Sequence, residues 1–480
     1  MNAAFLPFRA AVLIAALLAS LVPVLAHAQA PVFTNTTSDS RFEFQIGVQR
    51  SYVVLTSGTP TPVITIAGPL PPGVLFLDRG DGSATIAGTA ERGTQGSGPI
   101  VLTATNSAGS ATRDILISVV KAAEVVSDPY ATFVVGKPNT FYIYSDAEPQ
   151  GTMSLSGTLP AGVVLQTHNL SHGELSLSGT PGPNSAGVYP LTVTATNALG
   201  SHVQTLVVSV LAATPGVNDR NYTGMYYNTD SSGYAMNLTH QGNTVVVAWY
   251  AFAQNGRPVW FVAAATRQGD GSFQGDYSVQ TGVPFNAISN ATAVLTTAPA
   301  GTVNLKFAPD GKLRFRFNAL EAPRQETRDL GKLVFDAAAP VCRFTTAGRA
   351  TATNYSDLWW QPIESGWGLS VVHQGNLIYI AWYTYAADGQ PVWMVSLLTR
   401  QEDGSYSGSI NRAGSGVWYV YNTFGPVTNF PLPVVGTAVL RFTDGEHGSL
   451  SYTIGDVVQT KPIERIVFGS PAQVCAAPTP

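Results

Sequence analysis

DLWWQPIESGWGLSVVHQGN, residues 357–376, sets three tryptophans, a glutamate, a histidine and three glycines in twenty positions. Its counterpart is YTGMYYNTDSSGYAMNLTHQGN, residues 222–243. Without a gap, 221–276 matches 354–409 at 24 of 56 positions, among them NY, HQGN, AWY, PVW, TRQ and DGS. The match loosens and then returns in LVFDAAAPVC (333–342) and IVFGSPAQVC (466–475), so Cys342 and Cys475 occupy equivalent places. Self-similarity of this kind marks a duplicated structural unit. Within each unit, Asn255-Gly256 and Asp388-Gly389 separate apolar runs, a strong short-range hairpin signal. Gly242-Asn243 and Gly375-Asn376 read as a second turn, and Asp270-Gly271 and Asp403-Gly404 as a third. Each unit is then a meander of about eight short antiparallel strands, a number that suits a small up-and-down barrel.

The turns set the expected faces. A two-residue Asp388-Gly389 loop makes Thr384 face Trp393 and puts Trp382 and Trp393 on one side of the sheet. A two-residue Gly375-Asn376 turn adds Trp367, Leu369, Val371, His373, Ile378 and Ile380 to that side. Gly366, Gly368 and Ser370 then seat Tyr385, Tyr383 and Ala381 on the other. A three-residue turn would reverse one strand's parity and undo this arrangement. Either the tryptophans fill the barrel interior, or they line a cavity or groove that holds a ligand.

The front half is a second duplication. LPPGVLFL (70–77) recurs as LPAGVVLQ (159–166), IAGT (86–89) as LSGT (177–180), and IVLTATNSAGSATRDILISV (100–119) as PLTVTATNALGSHVQTLVVSV (190–210). Short β-branched runs punctuated by Gly, Pro and Asn over some ninety residues fit a small β-sandwich. The LPxGV…SGTP…LTVTATNxxG series resembles the immunoglobulin-like repeat of bacterial surface proteins, a relative of cadherin-like domains. The back half resembles the tryptophan-rich SGWG/HQG repeats of exported bacterial proteins, a resemblance that implies no particular activity. The expected fold class is all-β: two immunoglobulin-like sandwiches (31–121 and 122–212), then two homologous antiparallel barrel-like domains (221–342 and 343–475).

Composition agrees. Gly (47) and Pro (32) are abundant and only 11% of residues are charged, as in a turn-rich β protein. A net charge of −4 without a basic run gives no footprint for nucleic acid. Residues 1–28 read as an export signal: Arg9, the apolar run AAVLIAALLASLVPVLA, and the small-x-small site Ala26-His27-Ala28, with cleavage before Gln29. Pro23 and the Ala-rich end suit cleavage better than spanning, and no other stretch reaches membrane-spanning length. The expected location is therefore periplasm, cell surface or medium. In such an oxidising compartment Cys342 and Cys475 are expected to pair, stapling the ends of the last domain.

No nucleophile elbow, HExxH, nucleotide loop or catalytic cysteine is present. The candidate ligand-binding residues are Trp359, Trp360, Glu364, Trp367, His373, Trp382 and Trp393. Repeat one carries Ser231 and Tyr234 where repeat two has Glu364 and Trp367, so Glu364 cannot be essential to a function both units share. His240 and His373 each precede a Gly-Asn turn and lack the further ligands a metal site needs. Arg79-Gly80-Asp81 is explained by its turn. Calcium is raised by the cadherin-like resemblance, but Asp78 and Asp81 have no matching acids in the second repeat, which carries Gln166 and Gly173 nearby, so no cofactor is expected. The expected role is an exported binding or adhesion protein. Its partner would be an envelope or extracellular glycan, a small apolar molecule or a protein, held by the aromatic-rich repeats. The alternatives are a structural or adhesive protein acting through its sandwiches, and a hydrolase with a site in the second barrel.

Overall fold

A computed structural model describes residues 27–35, 40–168, 173–228, 235–288, 295–308, 310–321, 324–336, 339–364, 366–416 and 431–477. The export signal falls almost wholly outside them, as do Ser231 and Tyr234. The described residues form strands and turns with no helix, hence none long and apolar enough to cross a membrane.

Each front unit packs two antiparallel sheets around its own core, with alternate side chains turned inward. In Gly187–Asn197, for example, Leu191, Val193 and Ala195 are buried while Thr192 and Thr194 between them are more open. Each unit also carries one parallel edge strand: Arg41–Gln45 beside 116–120, and Tyr130–Val134 beside 207–211. The shared Asn of TATN has a structural task. Asn106 donates to the carbonyls of Gln29 and Pro60, and Asn197 to those of Lys121 and Pro149, pinning neighbouring segments to the hairpin. The two sandwiches are joined by one strand, Gly109–Val125. Residues 109–119 of it pair with Gly96–Asn106 in the first sandwich, and its end pairs with Ser145–Glu148 in the second. Lys121, nearly buried at that joint, contacts both Glu124 and Asp146.

The back half is two closed eight-stranded antiparallel barrels in meander order. The first closes where Tyr226 and Tyr227 pair with Lys332 and Gly331, and the second where Trp359 and Trp360 pair with Arg465 and Glu464. Closure leaves neither sheet an open edge. Their interiors are filled with large side chains: Trp249, Phe315 and Phe317 in the first, Trp359, Trp367 and Trp382 in the second.

One turn differs from expectation and reverses a face. The Gly375-Asn376 loop has two residues, with Gln374 opposite Leu377, so Leu369 faces Trp382 as expected. At the next turn Ala386 donates to Gln390 and Gly389 to Ala386, which leaves three residues, 387–389, in the loop. Gly389 sits at φ 74°, the left-handed position that a three-residue loop with a bulge requires. Trp393 therefore lies opposite Tyr383, not Thr384, and points out of the barrel while Trp382 points in.

Cys342 and Cys475 form a disulfide. They lie directly opposite each other in a two-stranded ribbon, Val341–Thr345 with Ala472–Ala476. The ribbon stands outside the second barrel, which closes on its own backbone hydrogen bonds; the disulfide ties the segment before the barrel to the segment after it. The loop it closes spans 133 residues, for which chain entropy gives about 4–5 kcal/mol of stabilisation. Replacing both cysteines by serine is expected to lower the urea midpoint accordingly, and an unchanged midpoint would show that the ribbon holds without the bond.

Candidate functional site

Six of the seven candidate residues are buried, and Trp360 is half-buried. Trp359, Trp367 and Trp382 meet inside the second barrel, where Trp367 and Trp382 pack edge to face and Trp382 lies 4.7 Å from the Tyr452 ring. Glu364 is 3% exposed. Its Oε2 accepts from Lys461 Nζ at 2.7 Å and from the Trp367 indole at 3.2 Å. Lys461 in turn donates to the carbonyl of Ile288 at 3.0 Å. Ile288 belongs to the first barrel's segment after Phe273–Thr281, and that segment inserts Val283, Phe285 and Ile288 into the core of the second barrel. Glu364 of repeat two therefore helps hold a plug supplied by repeat one.

Trp393 sits elsewhere, in an apolar layer shared by both barrels. Tyr250, Phe252 and Trp260 of the first pack there against Tyr383, Tyr385 and Trp393 of the second. The contacts are reciprocal. The Trp260 indole donates to the Thr384 carbonyl at 3.0 Å, and the Trp393 indole to the Ala251 carbonyl at 3.0 Å. Tyr250 and Tyr379 join hydroxyls at 3.0 Å, and burial pushes both phenols up, so both stay neutral. The glutamines of HQGN are reciprocal as well. Gln374 donates to Leu333 and accepts from Phe335 in the first barrel's tail; Gln241 donates to Ile466 and accepts from Phe468 in the second barrel's tail.

The histidines serve the same frame. His240 Nδ1 accepts from the Tyr222 backbone N–H, and His373 Nδ1 from that of Tyr355, each imidazole stacking on the tyrosine it bonds. Burial holds His240 down to about 3 and lowers His373, so both rings are neutral at pH 7. Among the described residues no group of three or more His, Cys, Asp or Glu could hold a metal ion. The Arg79 guanidinium folds back onto Thr85, and Asp81 accepts from Ser83, so the Arg-Gly-Asp turn is engaged with its own hairpin.

A buried charge cluster was missed from sequence. Asp357 Oδ2 lies 2.8 Å from Arg349 and 3.0 Å from Arg465, and Arg349 also meets Glu446. Burial raises the Asp357 carboxyl while the two guanidiniums oppose the shift. The first barrel has Gly224 and Lys332 in these places. Lys332 donates to the Thr223 carbonyl, and burial holds it down to about 8. The asymmetry between Asp357 and Gly224 was readable from the repeat alignment, though its partners were not.

Residues 122–211 match a family model described as "Putative Ig domain". Among solved structures, a titin tandem of Ig domains is 13% identical, with 38% of this chain and 98% of that one covered and a TM-score of 0.26. A three-domain I-band fragment of titin is 12% identical over 56% of this chain and 97% of its own, with a TM-score of 0.26. A chain of the complex of Dpr2 Ig1–Ig2 with DIP-Theta Ig1–Ig3 is 14% identical over 38% of this chain and 66% of its own, with a TM-score of 0.27. Scores this low add nothing to what the strand order establishes. No curated protein matches the chain.

Breaking the Glu364–Lys461 pair from one side leaves a buried charge without its partner, which costs about 3–5 kcal/mol. Glu364→Gln is expected to destabilise the second barrel by that order in urea unfolding, and adding Lys461→Met to restore much of the loss. A variant as stable as the parent would remove Glu364 from the framework.

Proposed function

We propose that the protein is an exported structural or adhesive protein, in which two immunoglobulin-like sandwiches carry a rigid double-barrel head away from the cell envelope. Immunoglobulin-like domains point to a structural or adhesive role. The observation that carries the finer reading is the continuity of the joints. One strand, Gly109–Val125, runs through both sandwiches. The second sandwich then abuts the first barrel, where Lys137 donates to the Arg267 carbonyl and Asn243 to that of Ala213. The barrels share one apolar layer. Interfaces of this kind suppress the relative domain motion that flexible linkers would allow.

The tryptophans are not proposed as a ligand platform. Binding through aromatic faces needs those faces open to the ligand, and Trp359, Trp367, Trp382 and Trp393 spend theirs on the second barrel's interior and the layer between the barrels. Glu364 is likewise not proposed as a catalytic acid, since Lys461 and the Trp367 indole both bond the one oxygen, Oε2, inside a packed core.

Export and attachment test the reading together. The mature chain is expected in the envelope or medium with Gln29 at its N-terminus. Deleting 31–212 is expected to abolish attachment of cells to a surface while leaving the barrels folded by circular dichroism. A chain kept in the cytoplasm with residues 1–28 intact, or attachment unchanged by the deletion, would contradict it.

A further inference from the structure

An open aromatic face lies in the second sandwich, not in the barrels. Its strands Asn139–Glu148, Glu174–Gly179 and Val163–Thr167 lie side by side, and their register sets the outward residues in rows. Tyr142 pairs with Ser176 and Ser176 with Gln166, while Thr140 pairs with Ser178 and Ser178 with Val164. Tyr144 pairs with Glu174, whose backbone carbonyl accepts from the His168 N–H. Between these outward residues, Ile143, Leu175 and Leu177 turn into the core. Tyr142 and Tyr144 are 46% and 45% exposed. Their rings lie 6.1 Å apart with planes 15° from parallel, and the His168 ring lies 5.9 Å from that of Tyr142. Ser176 holds the imidazole in place, its hydroxyl 2.7 Å from His168 Nε2. Three rings thus follow one another at nearly equal steps on an open sheet.

The first sandwich provides a control inside the same chain. Gly88 and Gly179 hold equivalent places in the two repeats, and pairing outward from them sets Val53 where Tyr142 stands and Leu55 where Tyr144 stands. On the edge strand Leu77 takes the place of Gln166, and Arg79 that of His168. Arg79 bonds Thr85 as His168 bonds Ser176, so the frame is the same and the surface differs. The sheet therefore does not need tyrosine or histidine at these positions to fold. Charge is the second constraint. The paired outward positions carry one carboxylate, Glu174, and neither lysine nor arginine. Past Tyr144, the carboxylates of Glu124 and Asp146 are matched by Lys121 and Arg92. The face thus has no cation to hold an acidic ligand, and a neutral one suits it.

We propose that this face of the second sandwich binds a neutral, β-1,4-linked glycan of the cellulose or chitin type, its sugar rings lying over Tyr144, Tyr142 and His168. Equatorial linkages keep such a chain extended and flat, so successive pyranoses present apolar C–H faces at regular intervals, as the three rings do. Tyrosine offers a rigid apolar face with a hydroxyl at its rim, at low entropic cost. The Gln166 amide, across Ser176 from Tyr142, offers two donors and an acceptor to the sugar hydroxyls. The site rests on its own geometry and not on the adhesive reading above; a chain that fails to attach cells would still bind the glycan.

The test is titration calorimetry of the intact mature chain with cellohexaose and with chitohexaose, and with maltohexaose, whose α-linkages coil the chain, as the control. One or both β-linked hexamers are expected to bind and maltohexaose not to, and the tighter of the two identifies the source of the glycan. Affinity is expected to be the same at low and physiological salt, because no charge pair is there to be screened. Tyr142→Val and Tyr144→Leu install the first sandwich's own residues, so the sheet is expected to tolerate them. Each removes a stacking face and is expected to weaken binding about ten-fold. Val188→Thr, exposed on the opposite sheet, is expected to leave binding unchanged. The proposal is overturned if neither β-linked hexamer binds, if maltohexaose binds equally, if the tyrosine variants bind as the parent does, or if affinity falls with salt.

Discussion

Two indole hydrogen bonds, Trp260 to the Thr384 carbonyl and Trp393 to the Ala251 carbonyl, cross between the barrels in opposite directions and fix how the back half is built. Each barrel carries Trp and Tyr on the outside of its third and fourth strands, a face that no solitary barrel could leave in water cheaply. Burying a large apolar side chain contributes about 1.5–3 kcal/mol, and a buried indole N–H left unpaired would cancel much of that. The two faces solve this for one another. The geometry is that of an isologous dimer interface held within one chain, the same patch used twice about a pseudo-two-fold.

The other shared motifs support that arrangement. The glutamine of HQGN grips the other barrel's tail, and its histidine accepts from the NY backbone of its own barrel. The differences between repeats follow from where the symmetry stops. The second barrel takes a plug from the first and ties it down through Lys461 and Glu364. It also builds the Arg349–Asp357–Arg465 cluster where the first barrel has Gly224 and Lys332.

Much of this was legible in the residues. The duplications, the β class, the meander and the inward set Trp367, Leu369, Val371, Ile380 and Trp382 follow from repeats, turns and periodicity, and the cysteine pair was expected from its equivalent places after the two units in an oxidising compartment. Trp393 was placed on the wrong face because Asp388-Gly389 suits both a two-residue loop and a three-residue loop with a bulge, and a one-residue difference reverses parity. The barrel–barrel layer was illegible for another reason. Identity between repeats at AWY and PVW is equally compatible with a barrel core and with a surface that mates with its own copy. Only a closed sheet, which fixes inside from outside, separates the two.

Native-state hydrogen exchange, followed amide by amide through a urea series, tests the central claim that the two barrels are one folding unit. Slow amides in Thr244–Phe252 and Pro258–Arg267 are expected to share a single opening free energy and urea dependence with those in Leu377–Tyr385 and Pro391–Arg400. Two separate isotherms, one for each barrel, would contradict it.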